Sequence, residues 1–255
     1  MNKFIILLSA VFVTSCSQKN DIDFSIDEVS KSYLNIEYIN SPLGEGKNGK
    51  INKNPLFRED AFDCQTFVET TISKNKSQSN SKNKILKELN KIRYKDGEIS
   101  FENRNHFISV DWLPNNENIL ENITDKVFSK STKTNTTINK KEWFSKTHNI
   151  KVQAEDKIST LTYMPIRELT KENIKNIPHE SIILIVRPNW NLKEKIGTNL
   201  DVSHLGFAIK KDNSIIFRHA SKTYQKTIEE DLYTYLKQYE DSKTIKGFSI
   251  IKIIN

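Results

Sequence analysis

The sequence predicts an α+β fold with N-terminal helices packed on a mainly antiparallel sheet. Segments with helical apolar spacing gather before residue 130, whereas from residue 158 onward apolar and polar residues alternate in strand-length runs. Scarce glycine and proline (7 and 6 in 255 residues) and the lack of an internal repeat favour one domain over a linker-rich array.

The chain opens with Met1-Asn2-Lys3, a nearly wholly apolar run from Phe4 to Val13, and then Thr14-Ser15-Cys16. A basic start, a short apolar core and small residues at the cut describe a secretory signal. The cysteine at that point resembles the bacterial lipobox, where the thiol is acylated. Residues 1–15 are therefore expected to be a lipoprotein signal peptide, Cys16 the lipidation site, and 16–32 an N-terminal tether. The acyl chains would anchor the protein to a membrane, each buried CH₂ contributing about 0.8 kcal/mol. Ser17 follows the cysteine, so no aspartate argues for inner-membrane retention. The expected location is the outer membrane, facing the periplasm. Beyond this segment no apolar run approaches the roughly 20 residues of a membrane span.

Residues 33–255 form the expected domain, although apolar spacing for a helix already starts near residue 21. Asp63 is placed to cap a helix over 64–73 that carries Phe67, Val68 and Thr71. The apolar-free stretch 73–84 reads as a surface loop, and 84–93 as a helix. An Asp96-Gly97 turn with alternating apolar residues suggests a hairpin ending near Trp112, followed by a helix over 116–129. The polar stretch 130–141 reads as a surface insertion. Strands are expected at 160–164, 181–187, 203–210, 214–220 and 247–254, interrupted by short helices at 170–176 and 228–239.

The formal charge is +7. A basic surface favours anionic partners, but lysine, asparagine and isoleucine dominate throughout, which codon bias explains equally well. No nucleic-acid-binding signature accompanies the charge, so no nucleic-acid partner is expected.

Two cysteines occur in the chain. If Cys16 carries lipid, Cys64 is the one thiol of the mature protein, in a compartment where thiols otherwise pair. It is either buried and inert, or reactive. A cysteine nucleophile needs a base, and a third group to orient that base. A helix N-terminus and a neighbouring imidazolium both lower a thiol's pKa, so depression is expected at Cys64. The helix N-terminus also offers N–H groups to a developing oxyanion.

Of the five histidines, His148 and His179 lie in polar connecting sequence, and His106 is open to either a surface or a recognition role. His204 and His219 bracket "HLGFAIKKDNSIIFRH". A two-residue turn at Asp212-Asn213 pairs Lys211 with Ser214, and therefore Gly206 with His219. Alternation then puts His204, Gly206, Ala208, Phe217 and His219 on one face. The two histidines become diagonal neighbours roughly 7–8 Å apart at the backbone. A one-residue slip would separate them. The small Gly206 and Ala208 leave room for the cysteine helix on that face. Zinc is the other use for Cys and two His, but the close ligand pairs of familiar zinc motifs are missing.

"SPLGEG" (41–46), "NPLFREDAFDCQTFVET" (54–70), "RNHF" with "DWLPNN" (104–116), "YMPI" (163–166) and "SHLGFAI…FRHAS" (203–221) together resemble the NlpC-type papain-like cysteine peptidases of bacterial cell walls. The match is closer to their N-acetylmuramoyl-L-alanine amidase-like branch, formerly a domain of unknown function. The resemblance runs from about residue 33 to the C-terminus. It implies Cys64 as nucleophile, His204 as general base and His219 as the residue orienting His204. It also implies muropeptide or peptidoglycan as substrate and no metal or other cofactor. Arg104 and Asn105 are candidates to bind a stem-peptide carboxylate, and Trp112 to stack on sugar. A γ-D-glutamyl-diaminopimelate endopeptidase on the same fold and a non-catalytic cell-wall-binding lipoprotein are the alternatives. The expected state is a monomer.

Overall fold

A computed structural model describes residues 22–254. The expected signal peptide and Cys16 lie outside the described residues. Among the described residues, no helix is long and apolar enough to cross a membrane.

The chain runs α1 (Ile26–Ser32), β1 (Glu37–Tyr38), β2 (Ala61–Phe62), α2 (Cys64–Ser77), α3 (Lys82–Arg93), β3 (Leu120–Asn122), α4 (Thr124–Val127), β4 (Thr132–Ile138) and α5 (Lys140–His148). It continues through β5 (Lys157–Pro165), β6 (Ser181–Asn191), α6 (Lys193–Ile196), β7 (Asn199–Lys211), β8 (Ser214–Ser221), β9 (Lys226–Asp231), α7 (Leu232–Lys237) and β10 (Gly247–Ile253). The strands form one sheet in the order β2-β1-β9-β8-β7-β6-β10-β5-β4, with β3 also on β10. The pairing of β1 with β2 is parallel, and the other pairings are antiparallel.

The strands at the middle of the sheet are apolar on both faces, because both are covered. On one face Leu205, Phe207, Ile209, Ile182 and Leu184 pack with Ile26 of α1 and with Phe67, Val68 and Ile72 of α2. The Phe67 and Phe207 rings meet at 5.7 Å. Burying one such side chain is worth about 1.5–3 kcal/mol. On the other face Ala208, Phe217, Ile183 and Ile185 pack with Leu232, Tyr235 and Leu236 of α7.

The hairpin of β7 and β8 turns at Asp212-Asn213: Lys211 pairs with Ser214, and Asp212 takes the positive φ of 49°. Elsewhere the structure corrects the expectations. Residues 26–32 are part of the folded body, not a tether. Arg218, fully buried on β8, donates to Asp27 Oδ1 at 2.8 Å and to Ser30 Oγ at 2.6 Å, pinning α1 to the sheet. Helix α2 continues to Ser77, so the loop after it shrinks to 78–81. The serines fit there because Ser73 Oγ donates to Glu69 O and Ser77 Oγ to Lys74 O.

The expected hairpin over 94–112 reduces to one bridge, Tyr94 to Arg104. A tight turn at Lys95–Gly97 and a π-helical turn at Ile108–Trp112 take its place. A helix over 116–129 does not form. Asn122 Oδ1 accepts from the Thr124 N–H at 3.0 Å and from its hydroxyl at 2.6 Å, and this turn ends β3 and starts α4. The polar stretch 130–141 supplies β4, whose β-branched threonines pair with β5 along seven positions. The expected helix at 228–239 begins as β9 and becomes α7 only after Asp231, which caps it. At 170–176 only a short 3₁₀ turn, Asn173–Asn176, is present.

Candidate active site

Cys64 is the first residue of α2, and the helix start is firmly held. Asp63 Oδ1 accepts from the Thr66 N–H and hydroxyl, both at 2.8 Å, while the Asp63 N–H donates to Thr66 Oγ1 at 2.9 Å. This is a reciprocal cap. Asp63 Oδ2 also accepts from the Ser41 N–H at 3.0 Å, tying the "SPLGEG" loop to the helix. Behind it, Arg93 and Glu69 form a buried ion pair at 2.6 Å, and Arg93 Nη2 donates to the Leu43 carbonyl.

Cys64 is half-buried and is the one free cysteine among the described residues. Backbone N–H groups of Leu205, then Gln65 and Cys64, lie close enough to the sulfur to favour thiolate. Burial and then the Asp63 carboxylate outweigh them, and the thiol is pushed up to about 12. The expected depression is therefore corrected: at rest Cys64 holds its proton.

The Leu205 contact places the thiol at the backbone of β7, one residue from His204. The ladder between β7 and β8 runs only from Lys211/Ser214 to Phe207/Arg218, so Leu205 lies beyond it. A register shift sets Val202 against Val186 but His204 against Ile185, and the extra residue Ser203 bulges just before His204. Helix α2 covers the Leu205/Phe207 face, not the face of the small residues. The space spared at Gly206 is filled from β8: a Cβ there would lie 2.6 Å from both His219 Cβ and Arg218 O.

His204 Nε2 and His219 Nδ1 are 2.7 Å apart, with ring centroids 4.7 Å apart. His219 is 2 % exposed and stacks on Phe217 at 4.5 Å, while Tyr235 of α7 closes over both imidazoles. Burial, and then the neighbouring His219, pulls His204 down to about 3; burial pulls His219 down to about 4. Both rings are neutral at rest.

Three residues of this neighbourhood escaped the sequence reading. Glu230 of β9 has Oε2 at 2.9 Å from His219 Nε2. Tyr235 would have needed the position of α7. Tyr38 of β1 is near enough to feel Cys64 and Asp63; burial first, then these two, raises its phenol to about 12. Only Glu230 had a readable signal: treated as a strand, "KTIEED" alternates it onto the face of His219.

The expected recognition residues are all buried. Trp112 is 0 % exposed within the core beside α2, so it cannot stack on sugar. Asn105 is buried, donating to the Ile92 carbonyl at 3.0 Å and accepting from Asn115 at 2.6 Å. Arg104 is buried against Glu45, to which its Nε donates at 2.9 Å. Arg104 and Asn105 do line a cleft of about 550 Å³ shared with Asp111, Asn115, Lys140 and Lys157. The Asn105 carbonyl accepts from Gln65 Nε2 at 3.1 Å, which links this cleft to the residue after the thiol. Among the described residues, no group of three or more His, Cys, Asp or Glu is arranged to hold a metal ion.

The AmiA-like family, described as N-acetylmuramoyl-L-alanine amidase-like, matches residues 28–245. This chain belongs to that family. Membership makes the protein an amidase-like cell-wall hydrolase and implies a peptidoglycan-derived substrate. A Legionella pneumophila crystal structure, of a family catalogued as a domain of unknown function, is 34% identical over 90% of this chain and 88% of its own, with a TM-score of 0.84. An N-acetylmuramoyl-L-alanine amidase from Bacteroides uniformis aligns at 21% identity over 91% of this chain and 100% of its own, TM-score 0.69. A proposed xylanase from Bacteroides fragilis has the same fold at 20% identity over 89% of this chain and 100% of its own, TM-score 0.67. The last two likenesses speak for the fold alone. Among curated proteins, none matches the sequence.

Proposed function

We propose that this AmiA-like protein hydrolyses the amide joining the lactyl group of N-acetylmuramic acid to L-alanine in peptidoglycan fragments, by a thiol mechanism on an NlpC-type papain-like fold. One observation carries the reading: a thiol at a helix N-terminus meets the strand backbone beside a histidine that is hydrogen-bonded to a second histidine.

Because both partners are neutral at rest, the proton leaves Cys64 as sulfur attacks the carbonyl carbon, and His204 accepts it. The backbone N–H of Cys64 is among the donors to the oxygen that becomes negative. His204 then returns the proton to the departing amine of L-alanine. Water, with His204 again as base, splits the thioester to release the lactyl carboxylate and restore the thiol. His219 orients His204 throughout. Lipid on Cys16 would hold the enzyme at the outer membrane, facing its substrate.

Cys64→Ala and Cys64→Ser should abolish cleavage of a defined muropeptide, and undiminished activity in either would sink the mechanism. Product masses decide the bond: a peptide beginning with L-alanine plus intact sugar supports the amidase, whereas a cut after D-glutamate supports the endopeptidase. The alternative is a non-catalytic, wall-binding role, with which the burial that raises the thiol is consistent. Binding of the muropeptide without any turnover would establish that role.

A further inference from the structure

The chain of imidazoles does not end at His219. Glu230 sits opposite Phe217 in the β8–β9 ladder, diagonal to His219, whose direct partner is Ile228. Alternation sends its side chain to the face of the histidines, and 28% of that side chain stays exposed. Arg218 and Glu229 alternate onto the other face, where they pair with each other. The titratable groups facing His219 and Glu230 are then His204 of β7 and Tyr235 of α7, and Tyr235 in turn lies near Tyr239 and Cys64.

An ionised carboxylate only accepts hydrogen bonds, so His219 Nε2, 2.9 Å from Glu230 Oε2, must carry a proton. In a neutral ring the other nitrogen, Nδ1, then holds a lone pair. His204 Nε2, 2.7 Å from that lone pair, must donate to it. The His204 proton therefore resides on Nε2, and its Nδ1 is unprotonated. One carboxylate sets the tautomer of two rings in series.

We propose that Glu230 is a positioning residue: its carboxylate fixes the tautomers of His219 and His204 so that His204 presents an unprotonated Nδ1 as base, and it offsets the positive charge that His204 acquires during the reaction. The base role rests on the amidase reading above; the tautomer assignment does not.

Imidazole ¹⁵N NMR of the wild-type protein near pH 7 should show His204 and His219 both protonated on Nε2. Glu230→Gln can still accept through its amide oxygen. It should keep this pattern, lower kcat about tenfold with KM little changed, and move the acid limb of kcat/KM to lower pH, since a neutral amide no longer favours imidazolium. Glu230→Leu should lose the pattern and lower kcat by about 10²–10⁴. A proton on His219 Nδ1 in the wild type overturns the proposal, as does a Leu variant with unchanged tautomers and kcat. If Glu230→Leu fails to fold, the wild-type spectrum and the Gln variant still decide. A wild type with the stated tautomers but no amidase activity supports the Glu230 assignment and sinks the amidase reading alone.

Discussion

Two pairs of histidines lie in aromatic surroundings, and they differ in their polar partners. His106 sits 4.7 Å from the rings of both Phe101 and Trp143 and 5.4 Å from Phe144, and His148 packs on the same Phe101 and Trp143. His204 and His219 lie against Phe217 and Tyr235. Burial holds all four below the ordinary imidazole range, with Arg104 also pushing His106 and His148 down. Low basicity alone therefore does not mark the pair proposed to react. What differs is polar connection. His106 Nε2 bonds the Phe101 carbonyl at 2.6 Å, a backbone group that cannot pass a proton on. His204 is linked through His219 to a carboxylate, and it adjoins a thiol.

The sharpest break between the two pairs should be kinetic. His204→Ala is expected to lower kcat/KM on a muropeptide by about 10³–10⁴ with a small change in Tm, the upper part of the range for a lost general base. His106→Phe, which keeps an aromatic ring, should leave kcat/KM within about threefold. If the two variants lose activity equally, the distinction between them collapses.

A smaller effect shared by both pairs concerns pH. The folded values of His204 and His219, about 3 and 4, lie below the unfolded value near 6.5. The unfolded chain thus binds more protons as pH falls through about 6.5, so stability decreases from there down toward pH 4. Each histidine contributes a slope of at most about 1.4 kcal/mol per pH unit. Glu230, raised by burial, works the other way over part of the window. Urea melts between pH 7 and 4.5 should be flatter for His106→Phe than for wild type, and flatter again when His219→Asn is added. Parallel slopes in all three would mean that burial is not holding these rings neutral.

The mildest perturbation falls on the thiol. Asp63→Asn keeps a good capping residue but removes the charge that helps hold Cys64 protonated. Alkylation of Cys64 at pH 8 should become several-fold faster, while loss of the accepting oxygen for Ser41 costs about 1 kcal/mol. An unchanged labelling rate would leave burial as the whole cause.

The parts of the site that sequence made legible are those set by local rules. Asp63 announced the helix start, and the Asp212-Asn213 turn plus strict alternation put His204 and His219 together. What could not be read was set by distant partners. The threonines of β4 became a strand because β5 lies alongside, and Asn122 broke a helix by turning its side chain back on Thr124. Trp112 looked available for sugar because nothing local says that the core closes over it. The raised thiol likewise depends on burial that only the assembled fold supplies. Glu230 stayed hidden because the boundary between β9 and α7 was drawn too early.

The two residues of β2 lead straight into the capped cysteine, and they are held by β1, which in turn pairs with β9; just before β1, the Ile36 N–H donates to the Thr227 hydroxyl of β9. That last contact joins residues 191 apart in sequence. The thiol's anchor, the paired rings and the carboxylate behind them thus meet only through long-range closure, a slow kind of contact in folding. A chain emerging N-terminus first cannot complete this edge until β9 (Lys226–Asp231) has been made. Fragments cut short before β9 would lack both the strand that pairs with β1 and the carboxylate that meets His219.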